Sequence, residues 1–449
     1  MKSLFGTDGI RGITNQHPMT PWIALKVGMA IGKLLRSGKV IIGKDTRLSG
    51  YIFEYAISSG LCATGLDVYL VGPFPTPGIA FLVPAMRVEA GIVVSASHNP
   101  FYYNGIKIFG KDGYKISDEI EKEIENFVKS GGEDESILAT PRNTGKAFRL
   151  KEAVGRYIEF LKNTLPKGVR LKGIKVVIDC ANGATYRIAP MLFDELGAEV
   201  IVINAEPDGL NINEKCGATD PSSLREAVLK YGADVGFAYD GDGDRCIAVD
   251  EKGKILNGDD ILAICGDFLL KKGLMEKRGI VVTYASTIGL ERFFKGRKCE
   301  VIRTEIGDRY VVEAMLKYGL QLGGEKSGHT VFLNYSTTGD GLITSLQVLN
   351  VMINENSPLS MLSSIFEKPY EFSIDLPVRT KIPFEKIKDY DRFKKEMDSK
   401  IEDGRIHIRY SGTEPKLRIL VEGYDREKVN NVGNEIKEFF IKNLDLAEE

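Results

Sequence analysis

One order of secondary structure is written into this chain three times, and that repeat restricts its fold more than any other feature. In the first pass, residues 39–47 (KVIIGKDTR) form a β-branched run, followed by a helix-period stretch to Gly60 and a second strand-like run at 66–72. A helix after Thr76-Pro77 then leads to GIVVSASHNP at 91–100. The second pass runs through 175–183, a helix to Leu196, 198–204, a helix from Pro221 to Tyr231, and 234–245. The third runs through 279–287, a short helix around Glu291, 299–308, a helix to Tyr318, and 320–329. Each pass adds one more short strand, GIKIF, CIAVD and TVFLN. Strand-period runs alternating with helix-period stretches predict βα units built on a parallel sheet. Right-handed crossovers then bring the C-terminal loops of the strands to one edge, where ligands bind. After Pro369 the pattern changes to FSIDLPVRTKI, a Lys- and Asp-rich helix, RIHIRYSGTEPKLRILVEG and an amphipathic helix from Asp425, which predicts a small α+β domain. The expected fold class is α/β, with three tandem mixed-sheet domains of related topology (1–145, 146–250, 251–368) and a C-terminal α+β domain (369–449), arranged around one central cleft.

Composition narrows the function. At ~100 to 200 residues per domain, 449 residues fit such a division. Hydrophobic residues at 43% and charged residues at 27% give the balance of a globular protein. With 60 Lys and Arg against 62 Asp and Glu there is no basic excess, so the electrostatic signature of a nucleic-acid binder is missing. The two closest of six cysteines, Cys246 and Cys265, are 19 positions apart, which excludes a local CxxC metal or redox pair and predicts reduced thiols. MKSLFGTDGIRG meets charged residues before any long apolar stretch, and ~20 uninterrupted apolar residues occur nowhere. A cytoplasmic protein without a membrane span is expected.

Four polar loops hold the candidate chemistry. Ser95-Ala96-Ser97-His98-Asn99-Pro100 follows a buried-looking strand. It reads either as a turn closing that strand or as a nucleophile loop; a Ser-His hydrolase is disfavoured because neighbouring side chains on an extended segment point apart and no GxSxG elbow is present. Asp240-Gly241-Asp242-Gly243-Asp244-Arg245 packs three carboxylates into five residues, and a hard cation such as Mg²⁺ relieves their repulsion. An EF-hand begins with the same spacing, but Arg245 stands where that loop needs glycine; a solvated acidic turn is the other alternative. Gly323-Gly324-Glu325-Lys326-Ser327-Gly328-His329 offers a carboxylate, a hydroxyl and an imidazole suited to a polyhydroxylated ligand, or forms a plain glycine-rich turn. Arg409-Tyr410-Ser411-Gly412-Thr413-Glu414-Pro415, with Arg418, supplies two guanidinium forks that suit phosphate oxygens, or a β-turn with surface arginines. Together the loops describe phosphoryl transfer on a sugar phosphate. Neither a P-loop nor a kinase motif set seats a nucleotide donor, so the donor is the substrate or the protein itself.

As a set, SASHNP, DGDGDR, GEKSGH and RYSGTEP resemble the α-D-phosphohexomutase superfamily, and the likeness runs along nearly the whole chain. FGTDGIRG (5–12), GKDTRLSG (43–50), DGLNINEKCGATDP (208–221), IGDRYVVEAM (306–315) and TTGDGL (337–342) look like its bacterial phosphoglucosamine mutase branch. One departure is Lys326, where that branch usually has Gln. The resemblance implies that Ser97 is phosphorylated in the resting enzyme. It implies transfer to glucosamine 6-phosphate, a 1,6-bisphosphate, and recovery of a phosphoryl group to leave glucosamine 1-phosphate, a step toward amino-sugar nucleotides and cell-wall precursors. It further implies one Mg²⁺ on Ser97, Asp240, Asp242 and Asp244; Lys107 as acid or base near Ser97; His98 supporting that loop; and Arg245 and Arg11 neutralising charge. Glu325, Ser327 and His329 would read the sugar, and Arg409, Ser411, Gly412, Thr413 and Arg418 would hold the phosphate that is not being transferred. The implied partners are a small phosphosugar and at most a second copy of the chain in a homodimer, with no nucleic acid and no membrane. A phosphomannomutase or phosphoglucomutase of the same mechanism is the nearest alternative, and a non-catalytic phosphosugar-binding protein the alternative of another class.

Overall fold

The computed structural model describes residues 4–132, 134–411 and 415–445. The first sheet is built from β1 (Ile10–Ile13), β2 (Lys39–Lys44), β3 (Asp67–Pro73), β4 (Ala90–Val94), β5 (Tyr103–Gly110) and β6 (Ala147–Arg149) in the order β1-β5-β4-β2-β3-β6. Its helices are α1 (Pro21–Leu35), α2 (Gly50–Ala63), α3 (Thr76–Met86) and α4 (Asp118–Lys129). The second sheet contains β7 (Lys175–Asp179), β8 (Glu199–Ile203), β9 (Val235–Tyr239), β10 (Cys246–Asp250) and β11 (Ile255–Leu256), ordered β11-β10-β9-β7-β8, with α5 (Ala153–Lys162), α6 (Ile188–Glu195) and α7 (Ser222–Tyr231). After α8 (Gly258–Lys271) come β12 (Gly279–Thr283), α9 (Ile288–Gly296), β13 (Glu300–Thr304), α10 (Asp308–Tyr318), β14 (Leu322–Gly324) and β15 (Thr330–Phe332), with sheet order β13-β12-β14-β15, and then α11 (Gly341–Glu355) and α12 (Leu359–Leu362).

The repeated pattern therefore becomes a repeated topology. In each sheet the first strand of the pass lies between the second and third, all three parallel, and the added short strand runs antiparallel beside the third. The parallel strands are near-continuous apolar runs because helices cover both faces, and β4, β9 and β12 are buried along their whole length. Helix starts follow local chemistry. Thr20 accepts the N–H of Ile23 before Pro21, and Asn257 forms a reciprocal capping box with Asp260 at α8.

The first sheet continues past residue 145, because β6 pairs with β3; the second continues past residue 250, because β11 pairs with β10. Two strands of three and two residues carry no readable periodicity, which hides them from a sequence reading. The described residues divide into two compact units, one of residues 4–285 with Cys299–Ile365, the other of Ser286–Lys298 with residues from Phe366 onward. Helix α9 packs with the C-terminal part. Its Arg292 stacks 4.8 Å from the centre of the Tyr424 ring, Phe293 lies 5.7 Å from Phe366, and Arg405 donates to the Ser286 carbonyl at 3.0 Å.

The rest of that unit is an antiparallel sheet of β16 (Tyr370–Pro377), β18 (Lys416–Gly423) and β17 (Arg405–Tyr410), covered by α13 (Tyr390–Lys400) and α14 (Arg426–Asn443). Leu417, Ile419 and Val421 alternate along β18 into a core with Val432, Ile436 and Phe440, as a half-covered strand requires. No described helix is long and apolar enough to cross a membrane.

Candidate active site

The loop after β4 holds Ser97 in a left-handed backbone conformation, φ +51°, which a non-glycine residue adopts only when its surroundings enforce it. Arg47, itself completely buried, does much of the enforcing. Its Nη2 donates to the carbonyl oxygens of Ser97 (2.9 Å) and Asn99 (2.7 Å), its Nη1 donates to that of Pro100, and its Nε meets Asp45 at 2.8 Å. Asp45 in turn accepts the Ser95 hydroxyl at 2.6 Å, and Ser95 Oγ accepts the Ser97 N–H at 2.9 Å. Asn213, in the loop between β8 and α7, donates to the carbonyls of Ser97 and Asn99. The buried Ser97 hydroxyl is thereby directed to Asp240 Oδ2, 2.6 Å away.

Asp240, Asp242 and Asp244 follow β9, are all buried, and present ligand oxygens within 4.8 Å of one another. Glycine is required at Gly241, where a Cβ would lie 2.7 Å from the Ser97 carbonyl. Thr76 donates its hydroxyl to Asp242 at 2.5 Å, and Lys107 bridges Asp242 (2.9 Å) and Asp244 (3.2 Å) while standing 3.2 Å from Asp8. Burial opposes a charge on Lys107, but Asp242, Asp8 and Asp244 outweigh it and hold the ammonium protonated. Asp240 moves the other way, since burial and repulsion from Asp244 and Asp242 push its carboxyl well above the usual range. Asp242 Oδ1 and Asp244 Oδ1 are buried without a hydrogen-bond partner among the described residues. Orphaned carboxylate oxygens converging in one loop fit a hard, oxygen-liganded divalent cation. Arg245 donates its N–H to Asp240, and its guanidinium lies 4.0 Å from Asp244. His98 Nδ1 is 3.4 Å from Ser97 Oγ; burial, Arg245 and Arg11 lower its pKa to about 3, so the imidazole is neutral.

The third loop joins the second through an antiparallel bridge between Arg245 and His329. Glu325 accepts the Gly307 N–H at 3.2 Å, and burial raises its carboxyl despite His329 and Arg245. Ser327 Oγ and both His329 ring nitrogens are buried and lack a hydrogen-bond partner among the described residues, the state expected of groups that hydrogen-bond a polar ligand. At the N-terminal motif, Arg11 pairs with Asp8 and reaches Asn99 at 3.3 Å. Asp8 also pairs with Lys115, which in turn pairs with Asp308, 3.7 Å from His329. A chain of alternating charges thus runs from the carboxylate triad to the third loop.

The fourth loop belongs to the C-terminal unit. Arg409 and Arg418 are direct cross-strand partners on β17 and β18, an arrangement that like charges disfavour and an anion relieves. Arg418 Nε lies 3.6 Å from Asp375, and the buried Ser411 donates its N–H to the Lys416 carbonyl at 2.8 Å. Gly412 and Thr413 lie outside the described residues.

Comparison with known proteins gives the family. The phosphoglucomutase/phosphomannomutase family matches in four parts: alpha/beta/alpha domain I at residues 2–135, domain II at 155–253, domain III at 257–369 and the C-terminal domain at 377–439. A phosphoglucosamine mutase of Nitratidesulfovibrio vulgaris is 48% identical over 448 residues, covering 99% of both chains, and one of Geotalea daltonii is 48% identical over 449 residues with the same coverage. The chain belongs to the phosphoglucosamine mutase branch of this family. Among solved structures, a phosphoglucomutase/phosphomannomutase family protein of Burkholderia thailandensis superposes with a TM-score of 0.80 at 23% identity, covering 99% of each chain. An N-acetylphosphoglucosamine mutase of Aspergillus fumigatus, solved with GlcNAc-6P and magnesium, gives 0.67 at 17% identity, covering 97% of this chain and 95% of that one. These two likenesses establish the fold.

The structure brings Ser97, His98, Lys107, Asp240, Asp242, Asp244, Arg245 and Arg11 together, and the loop of Glu325, Ser327 and His329 meets them where His329 bridges to Arg245. A reading of single loops misses Arg47, Thr76, Asn213, Asp8 and Lys115. Arg47, Asn213 and Asp8 lie inside segments that carried the resemblance, so the signal was present without a role. Thr76 looked only like a helix start, and Lys115 had no signal.

Proposed function

We propose that this chain interconverts glucosamine 6-phosphate and glucosamine 1-phosphate, with Ser97 carrying a phosphoryl group between two oxygens of one sugar. The observation that supports this best is the Ser97 hydroxyl 2.6 Å from Asp240 in a buried carboxylate triad, within a chain that matches phosphoglucosamine mutases end to end. As an enzyme of this branch it is an intramolecular phosphotransferase of the isomerase class. In the first transfer the phosphoserine P–Oγ bond breaks as a bond to sugar O1 forms, and the proton that O1 gives up is balanced by the one that Ser97 Oγ gains. In the second the P–O6 bond breaks, Ser97 Oγ gives up its proton as it takes the phosphoryl group, and O6 gains a proton in turn. Positioning and charge neutralisation dominate such transfers.

Asp240, Asp242 and Asp244, with an oxygen at Ser97, would hold Mg²⁺. When bound, the ion polarises the transferring group as a Lewis acid. Lys107, protonated at Nζ, stabilises anionic charge and is the acid nearest the triad. Arg245 and Arg11 neutralise further charge, and His98 contributes a neutral ring beside Ser97. Glu325, Ser327 and His329 orient the sugar hydroxyls, while Arg409, Ser411, Gly412, Thr413 and Arg418 hold the phosphate that is not being transferred. Arg418→Ala is therefore expected to raise KM for the sugar phosphate by at least about tenfold, or ~1.4 kcal/mol. An unchanged KM would remove Arg418 from this role.

The test is a parallel mutase assay on glucosamine, glucose and mannose 6-phosphates with Mg²⁺ and a trace of hexose 1,6-bisphosphate. Glucosamine 6-phosphate is expected to have the highest kcat/KM by at least about tenfold. Preference for glucose or mannose would overturn the sugar assignment and direct attention to Lys326, half-buried next to Glu325.

A further inference from the structure

The segment TTGDG at 337–341 takes no part in the chemistry above, yet it touches the third loop, the carboxylate loop and the turn that precedes Lys115. Thr337 donates to the Gly113 carbonyl at 2.6 Å. Gly339 abuts the His329 ring, since a Cβ there would stand 2.4 Å from Nε2. Gly341 donates its N–H to the Gly243 carbonyl at 3.0 Å, and a Cβ on it would fall 2.5 Å from the Arg245 carbonyl. Gly243 is the residue between Asp242 and Asp244. Position 341 is thus the place where the start of α11 meets the backbone carrying two of the three carboxylates.

Asp340 holds that start in place. It is 2% exposed, its Oδ1 accepts the N–H groups of Leu342 (2.9 Å) and Ile343 (3.0 Å), and its Oδ2 accepts the Tyr157 hydroxyl at 2.6 Å. Tyr157 sits on α5 in an aromatic cluster with Phe74 and Phe81, so its hydroxyl has little freedom. A second link runs from the other end of the loop, where Tyr239, immediately before Asp240, shares a hydrogen bond of 2.9 Å with Ser345 on α11. Three like charges in five residues would drive an unsupported loop apart; here both ends of it are tied to one helix.

We infer that Asp340 is a positioning residue for the carboxylate triad: locked by Tyr157 and capping α11, it sets Gly341 against Gly243 and so fixes the spacing from which Asp242 and Asp244 bind a divalent cation. The inference rests on the metal reading of the triad. It is tested on the full-length protein by direct titration with Mn²⁺, followed by calorimetry, with thermal melting of each variant measured alongside. Groups that hold metal ligands in place commonly control affinity by roughly 10- to 100-fold, and a loss of that size is expected for Asp340→Ala and Gly341→Ala. Tyr157→Phe, which removes one of the three bonds, should lose several-fold. Asp340→Asn keeps a capping oxygen and can donate its amide to the tyrosine oxygen, so it should bind Mn²⁺ within about twofold of wild type. A role confined to stability would lower the melting point without changing the Kd of protein that is still folded. Unchanged Mn²⁺ affinity in Gly341→Ala and Tyr157→Phe would overturn the inference even if Asp340→Ala fails to fold, and so would an equal loss in Asp340→Asn and Asp340→Ala. Failure of the wild-type protein to bind Mn²⁺ would instead sink the metal assignment and take the inference with it.

Discussion

Ser97→Ala is expected to lower mutase turnover by at least about 10⁴-fold, or ~5.4 kcal/mol of transition-state stabilisation. The reason lies in the contacts of the Ser97 hydroxyl. It is buried, directed to Asp240, and attached to a backbone fixed from both sides, so removing it leaves no equivalent oxygen to carry the phosphoryl group. Water cannot replace it, because the acceptor must return the group to the same sugar. Intact mass should change in parallel, with wild-type protein showing a fraction heavier by roughly 80 Da, the mass of one phosphoryl group, and Ser97→Ala showing none. Equal turnover by the two proteins would refute the phosphoserine route. Ser97→Gly provides a control on the backbone. At φ +51° a side chain costs about 1–2 kcal/mol that glycine does not incur, so Ser97→Gly should melt above Ser97→Ala while remaining as inactive. A higher melting point for the alanine variant would mean that the left-handed conformation carries no strain.

The parts of this site that were legible in the sequence are those in which chemistry and local pattern coincide. Asp240, Asp242 and Asp244 stand two residues apart in a glycine-spaced loop after an apolar strand, and each of those facts is visible without coordinates. The threefold strand order was legible for the same reason, since buried parallel strands are continuous apolar runs. What escaped was non-local. Arg47 acts on Ser97, Asn99 and Pro100 about fifty positions away, Asn213 on the carbonyls of Ser97 and Asn99 from the loop between β8 and α7, and Thr76, at the start of α3, on Asp242 in the loop after β9. Nothing near Arg47 in sequence distinguishes a fully buried guanidinium from a surface one. Helix α9 escaped in another way: its place in the third repeat is correct by order, but its Phe293 and Arg292 find partners in Phe366 and Tyr424, which belong to the C-terminal unit. Order along the chain determines strand pairing more firmly than it determines which core a short helix joins.

Arg47→Met should be the most damaging substitution outside the reacting groups, because one guanidinium serves four acceptors. Methionine matches the length of the side chain and supplies none of its donors. The carbonyls of Ser97, Asn99 and Pro100 lose a charged partner, and Asp45 is left buried with the Ser95 hydroxyl but no cation. Breaking a buried ion pair from one side typically costs about 3–5 kcal/mol, most of it the stranded charge. Asp45 shows how the protein will respond: burial already raises its carboxyl and Arg47 opposes that rise, so without Arg47 the group will take up a proton more readily. A carboxyl whose pKa is higher in the folded than in the unfolded chain favours folding below the unfolded value, and that advantage fades as pH rises through the folded value. Arg47→Met should therefore melt closest to wild type in acidic buffer and fall further behind it as the pH rises through the raised value of the folded Asp45 carboxyl. Adding Asp45→Asn should recover much of the stability lost above that value by removing the stranded charge. It should not recover catalysis, since the three carbonyls remain unclamped and Ser97 is free to leave its left-handed conformation; a displacement of about 1 Å is enough to cost roughly 100-fold in kcat. The double variant separates the two duties of Arg47, and full kcat in a folded Arg47→Met protein would show that Asn213 alone holds the serine loop.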